Sequence, residues 1–182
     1  MQCIHDFQKE FNRRPFVCEI GCADGQGTAR YGGFCEKVVC IDPMKQGRFD
    51  IPSYEIEDIK HDEMKLEAFK SNLSHIGNRV ELIVMCSAWP ETFEKVKEIL
   101  GLNEIDILLI DGCHHPFEAV YKDFELYYPL VRGRGFIVFD DIYEPCIRRA
   151  YDKAQSAYGL AVHEEWKMPK CDGLQEIGVL RK

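Results

Sequence analysis

At 182 residues the chain fits a single domain, residues 1–182, long enough to bury a substantial core. Its 46% hydrophobic and 30% charged composition excludes a disordered tail or a fibre, and its net charge of -8 argues against a generic nucleic-acid surface. No apolar run is long enough to span a bilayer, and Met1 to Asp6 lack the basic and apolar segments of a secretory signal, so the expected location is cytoplasmic.

Residues 1–14 read as mixed and polar, with Arg13-Arg14-Pro15 turning the chain into the first strand, Phe16-Val17-Cys18-Glu19-Ile20. Gly21 ends that strand, and a glycine-rich segment through Gly27 leads into a short helix reaching about Gly32. Val38-Val39-Cys40-Ile41 follows and closes on Asp42-Pro43. Two short, continuously apolar strands around a helix describe a parallel β-α-β unit covered on both faces.

Residues 44–61 are irregular and polar. Met64, Leu66, Phe69 and Leu73 then recur at mostly helical spacing, Val80 to Met85 reads as a third strand, and Phe93, Val96 and Leu100 stripe a helix from about Pro90. Ile105 to Ile110 is a fourth strand ending on Asp111, and Phe117, Val120, Phe124 and Tyr127 mark the next helix, with Pro116 in its first turn. Arg132-Gly133-Arg134-Gly135 turns into a fifth strand, Phe136 to Phe139, which ends on Asp140-Asp141 and precedes a helix over about 145–158. Leu160 to Trp166 and Leu174 to Leu180 form an antiparallel hairpin. The expected fold is α/β and Rossmann-like: a mostly parallel seven-stranded sheet with one antiparallel C-terminal strand and helices on both faces.

Nine cysteines, an odd number with several inside apolar runs, indicate buried free thiols in a reducing compartment rather than a disulfide framework. No closely spaced pairs suggest a zinc knuckle.

The first turn carries the main nucleotide signal. Gly21-Cys22-Ala23-Asp24-Gly25-Gln26-Gly27 lacks the G-x-G-x-x-G of a pyrophosphate site and the Lys-Ser/Thr of a phosphate loop. It suits a nucleoside without phosphates, while Asp42, closing the second strand, stands where a carboxylate can accept from both ribose hydroxyls. Glu19 interrupts an apolar strand and requires a partner from the loop or from a ligand.

Val17-Cys18-Glu19-Ile20-Gly21-Cys22-Ala23-Asp24-Gly25 resembles the E-x-G-x-x-x-G first motif of class I methyltransferases that use S-adenosylmethionine. The resemblance implies that Glu19, Gly21, Cys22 and Gly25 surround the donor, that Asp42 grips its ribose, and that Cys86-Ser87 border the adenine. Cys86 replaces the acid familiar at that place, which makes Ser87 the local candidate for the adenine contact.

The segments Asp106 to His115 and Tyr128 to Asp141 resemble a subgroup of small-molecule and sugar O-methyltransferases of antibiotic biosynthesis, some of them magnesium-dependent. In a parallel sheet Asp111, Asp140 and Asp141 share the edge that carries the glycine loop, and three gathered carboxylates call for protons or a hard cation such as Mg²⁺. Adjacent strand residues face opposite ways, so Asp140 and Asp141 both serve one ion only if the backbone turns between them. His114, three residues past Asp111, is the candidate general base, and His115 is read as helping to start the following helix. The expected reaction is methyl transfer to a hydroxyl of a small polar acceptor, with catalytic roles for His114 and Asp111 and donor contacts that include Asp111. A non-catalytic nucleotide-binding scaffold and a metal-dependent hydrolase are the alternatives. The short segment before the first strand leaves open an exposed site, a larger partner or a pocket completed in a homo-oligomer.

Overall fold

In a computed structural model, residues 2–44, 62–170 and 173–182 are described, so most of the irregular segment 44–61 and Cys171 lie outside the described residues. The strands are β1 (Phe16–Ile20), β2 (Lys37–Ile41), β3 (Val80–Ile83), β4 (Ile105–Ile110), β5 (Val131–Phe139), β6 (Ala161–Lys170) and β7 (Gly173–Arg181). The helices are α1 (Gln2–Phe11), α2 (Gln26–Tyr31), α3 (Glu63–Leu73), α4 (Pro90–Leu100), α5 (Phe117–Tyr127) and α6 (Pro145–Tyr158). One sheet runs β3-β2-β1-β4-β5-β7-β6. The first five strands are parallel, and β7 enters antiparallel between β5 and β6, as the strand pattern predicts.

Alternation along the central strands divides the core in two. Cys18, Val39, Leu108, Ile110, Ile137 and Phe139 join one apolar cluster, which is completed by α4, α5 and α6. Val17, Val38, Cys40, Ile107, Leu109, Phe136 and Val138 join the other, beneath α1, α2 and α3. Such two-sided burial is why these strands read as unbroken apolar runs.

The N-terminal segment, read as mixed and polar with no helix assigned, calls for a correction. It forms α1, with Cys3, Ile4 and Phe7 buried and Phe7 stacked on Phe11 at 4.6 Å. Ile4, Phe7 and Phe11 follow helical spacing, so the signal was present but short. Arg13 then reaches under the sheet and grips the fully buried Asp106 with two hydrogen bonds of 2.7 Å. Phe16 N–H donates to the same carboxylate at 2.8 Å, and Arg132 stands 3.3 Å away. A buried carboxylate needs such partners.

β5 begins at Val131 rather than at Phe136. Its pairing with β4 slips between Ile105/Val131 and Ile107/Phe136, and Arg134, at φ +66°, sits in the slipped stretch. The terminal hairpin is longer than expected. Its register places Glu165 and Gly178 level with Phe139, so Trp166–Lys170 and the facing part of β7 continue past the end of β5.

Candidate active site

The site lies where the four central strands end in one row. Gly21 N–H donates to Ile41 O, Asp111 N–H to Ile20 O, Asp140 N–H to Ile110 O and Asp42 N–H to Ile83 O, at 2.9–3.2 Å. Each of these residues is the first after its strand, so the ladder carries Gly21, Asp42, Asp111 and Asp140 onto one edge. That carboxyl edge is where open α/β sheets bind ligands.

Glycine is required at Gly21 for two reasons. Its φ is +88°, and a Cβ there would stand 2.1 Å from the carbonyl oxygen of Asp111 and 2.5 Å from Cα of Gly112. The glycine loop and the β4 exit therefore touch backbone to backbone. Gly25, at φ +77°, forms the N-terminal cap of α2, where a Cβ would press on Phe69 and Leu73. Between them Asp42 acts as a brace: one carboxylate oxygen accepts from Ala23 N–H at 2.9 Å, the other from Met44 N–H at 2.7 Å. Asp42 is buried, at 8% exposure, and both carboxylate oxygens are held by backbone N–H groups.

Glu19 is 3% exposed and finds its partners inside the fold. Thr28 Oγ1 donates to it at 2.5 Å and Cys40 Sγ at 3.5 Å. Burial raises its pKa, against those hydrogen bonds. Glu19 thus ties β1 to α2 beneath the loop. Cys22 is buried in the core with its thiol pKa raised by burial, while its carbonyl accepts from Gly25 N–H inside the turn.

At the β3 exit, Cys86 and Ser87 are both buried. Cys86 is fully buried, and its carbonyl accepts from Thr92 Oγ1 at 2.7 Å. The Ser87 hydroxyl donates to Asp123 at 2.6 Å and its carbonyl accepts from Tyr127 at 2.8 Å. Both groups of Ser87 are therefore occupied from α5. Asp123 is buried, and burial lifts its pKa to about 7. Neither Asp123 nor Tyr127 was read from the sequence as more than part of a helix; an acid on an otherwise apolar helical stripe was the available signal.

The carboxylates separate into two arrangements. Asp141 has φ +51°, so the backbone does turn there, yet the two adjacent carboxylates take separate partners. It lies 3.9 Å from His114 Nε2, and Asp111 lies 4.0 Å from the same nitrogen. The ligand atoms of Asp111, His114 and Asp141 all fall within 4.8 Å of one another. Asp140 is held apart by Gln175, whose amide donates to both carboxylate oxygens at 2.8 and 2.9 Å. Gln175 belongs to the overhanging hairpin, a contact that sequence spacing could not foresee. The turn is braced from two sides, by Ile142 N–H on Glu176 O at 2.8 Å and Glu144 N–H on Asp141 O at 2.9 Å.

His115 is drawn toward α6. Its Nδ1 lies 3.3 Å from Cys146 Sγ and its Nε2 3.8 Å from Glu144, and it is Pro116 that occupies the N-terminal cap of α5. Among the described residues no helix is long and apolar enough to cross a membrane.

The methyltransferase domain family matches residues 18–142, the span from β1 to the turn after β5. A protein of Acanthamoeba polyphaga mimivirus is 36% identical over 85 residues, which are 47% of this chain and only 34% of that protein. Solved structures share the fold at lower identity. An O-methyltransferase from Bacillus cereus in complex with S-adenosylhomocysteine superposes at a TM-score of 0.67 and 17% identity, over 93% of this chain and 74% of that one. An N-methyltransferase from Bradyrhizobium japonicum superposes at 0.63 and 12% identity, over 93% and 86%. The O-methyltransferase TomG from Streptomyces achromogenes, solved with S-adenosylmethionine, superposes at 0.66 and 14%, over 98% and 77%. With the family matched across the whole strand-end row and this sheet order beneath it, the chain belongs to the methyltransferase domain family and has the Rossmann-like fold of class I methyltransferases.

Proposed function

We propose that this protein transfers the methyl group of S-adenosylmethionine to a hydroxyl oxygen of a small polar acceptor, with His114 as general base. The observation that carries the reading is the convergence of Asp111, His114 and Asp141 beside the loop that Gly21 packs against the β4 exit. The donor supplies an activated methyl on a sulfonium, so no covalent intermediate on the protein is required.

The residues fit that donor. The close approach at Gly21 leaves backbone to line the crevice, Asp42 offers carboxylate lone pairs for ribose hydroxyls, and the loop carries no cationic grip for phosphates. Because Ser87 is occupied by Asp123 and Tyr127, the adenine edge would meet the backbone of the β3 exit and not the serine hydroxyl.

His114 Nε2, 3.9–4.0 Å from two carboxylates, would take an acceptor hydroxyl proton, and the carboxylates would stabilise the imidazolium that results. Asp111 and Asp141 would also offer oxygens to a hard cation such as Mg²⁺, which would supply charge to orient acceptor oxygens. Asp140 could join that ion only by giving up its contacts with Gln175. The main contribution of the chain is alignment of acceptor and methyl group. The hairpin that passes the end of β5 would cover the acceptor side.

Incubation with labelled S-adenosylmethionine and a panel of hydroxyl-bearing metabolites, with and without EDTA, tests the reading. Transfer to a hydroxyl that is lost on EDTA treatment supports all of it. Full transfer in EDTA removes the cation, and label found only on nitrogen acceptors overturns the choice of oxygen.

A further inference from the structure

A second group of metal-ligating side chains lies away from the strand-end crevice. Asp6 of α1 and His163 and Glu164 of β6 bring one ligand atom each within 4.8 Å of the others. His163 Nε2 and Asp6 stand 3.1 Å apart, and the His163 ring packs edge-on against Phe136 at 4.9 Å. Phe136 is four residues before Asp140 on one extended strand, roughly 13 Å at about 3.3 Å per residue.

Neighbouring strand residues should face opposite ways, so His163 and Glu164 would not normally share a partner. Here the pairing with β7 passes from Val162/Leu180 directly to Glu164/Val179, and His163 is the extra residue of a bulge. Bulges re-aim side chains, and this one turns both His163 and Glu164 toward α1.

The charges around α1 point to a cation. One turn further along the helix, Glu10 is answered by the guanidinium groups of Arg134 and Arg181. Asp6 is answered by the His163 imidazole and the Gln2 amide, with Glu164 as a second acid in the same group. Two carboxylates at such separation repel unless a positive charge stands with them. The donor set, two carboxylate oxygens and one imidazole nitrogen, is that of a borderline transition metal with an open position for water, rather than of magnesium or calcium. Bonds of about 2.1 Å in a tetrahedral site set ligand atoms roughly 3.4 Å apart, so the side chains need only small rotations to close on an ion.

We infer that Asp6, His163 and Glu164 form a zinc-class metal site that fastens α1 to the edge strand of the sheet. The site does not depend on the methyl-transfer reading. It consists of one residue from an N-terminal helix and two from the far edge of the sheet, so binding would favour the folded state and join the two ends of the chain.

The test uses the full chain, titrated with Zn²⁺ by calorimetry and with Co²⁺ by visible absorption. To set aside Asp111, His114 and Asp141, it is run in the His114→Gln background as well as in the unmutated protein. Expected are saturable Zn²⁺ binding that survives His114→Gln, a Co²⁺ spectrum without a sulfur charge-transfer band, and a Tm that rises with Zn²⁺. His163→Gln should weaken binding by at least about tenfold and remove the Tm rise, by analogy with other losses around metal sites. Should His163→Gln fail to fold, zinc-dependent shifts of the His163 ring resonances in the unmutated protein replace it. Binding that disappears with His114→Gln, a Co²⁺ spectrum showing thiolate ligation, unmoved His163 resonances or no binding at all would each overturn the inference.

Discussion

Gly21 and Asp111 meet backbone to backbone: no side chain fits on Gly21, because its first carbon would lie 2.1 Å from the Asp111 carbonyl oxygen. This contact joins the loop of the first strand to the carboxylate of the fourth. It sets the distance between the proposed donor pocket and the proposed base. Gly21→Ala should therefore cost more than the roughly 1–3 kcal/mol of a left-handed φ alone, since backbone must also move. Urea unfolding measures it, with Gly33→Ala, where nothing lies within 4 Å, expected to change stability little. Calorimetry should also show S-adenosylhomocysteine binding lost in Gly21→Ala before the fold is lost.

Asp42 is expected to matter twice, as the brace of Ala23 and Met44 and as the ribose partner. Asp42→Asn puts an amide NH₂ against a backbone N–H that the carboxylate accepted. Loss of hydrogen bonds to a charged group, at about 1.5–3 kcal/mol, corresponds to roughly 10- to 100-fold weaker S-adenosylhomocysteine binding. NAD should bind the unmutated protein far more weakly than S-adenosylhomocysteine, and comparable affinities would count against the donor assignment.

His114→Gln keeps side-chain size and removes the proton acceptor. A positioned general base commonly contributes about 10²- to 10⁴-fold in rate, so kcat should fall within that range. Donor affinity should hardly change, because the donor loop and Asp42 are untouched. Full activity in this variant would remove His114 as the base.

Asp111→Asn should abolish any EDTA-sensitive part of the transfer while sparing donor affinity to within a few fold. Asp140→Asn should be milder. Its carboxylate is already held by Gln175, and an amide can still accept from that neighbour. Rates with and without added Mg²⁺ separate the two variants, and equal losses would place Asp140 beside Asp111.

Asp123 predicts a pH dependence of stability. Burial raises its folded pKa to about 7, above the ordinary carboxylate value, so the folded state holds a proton that the unfolded chain releases near pH 4. Between those values the folded protein binds more protons, and stability falls as pH rises, by up to about 1.4 kcal/mol per unit from this group. Above pH 7 the effect levels off. Asp123→Asn carries no such charge and can still accept from Ser87, so unfolding at pH 5 and pH 8 should show it gaining on the unmutated protein at the higher pH. Glu19, also raised by burial, contributes in the same direction to both proteins and cancels in the difference.

The parallel strands, the glycine loop, Asp42 and the strand-end acids were legible because each follows from local chemistry. Strands covered on both faces must be apolar throughout, a positive φ selects glycine, and a parallel sheet brings all its strand ends to one edge. The sequence by itself therefore determined the α/β fold and the edge on which the site lies. Only the tertiary structure decided how the carboxylates divide. Asp141 turns toward His114 because Ile142 is held by Glu176 of β7, and Asp140 is claimed by Gln175 of the same strand. Ser87 faces Asp123, and Arg13 reaches Asp106, for the same kind of reason. These partners lie tens of residues apart in the chain, and their pairing depends on register and helix packing that no local pattern encodes.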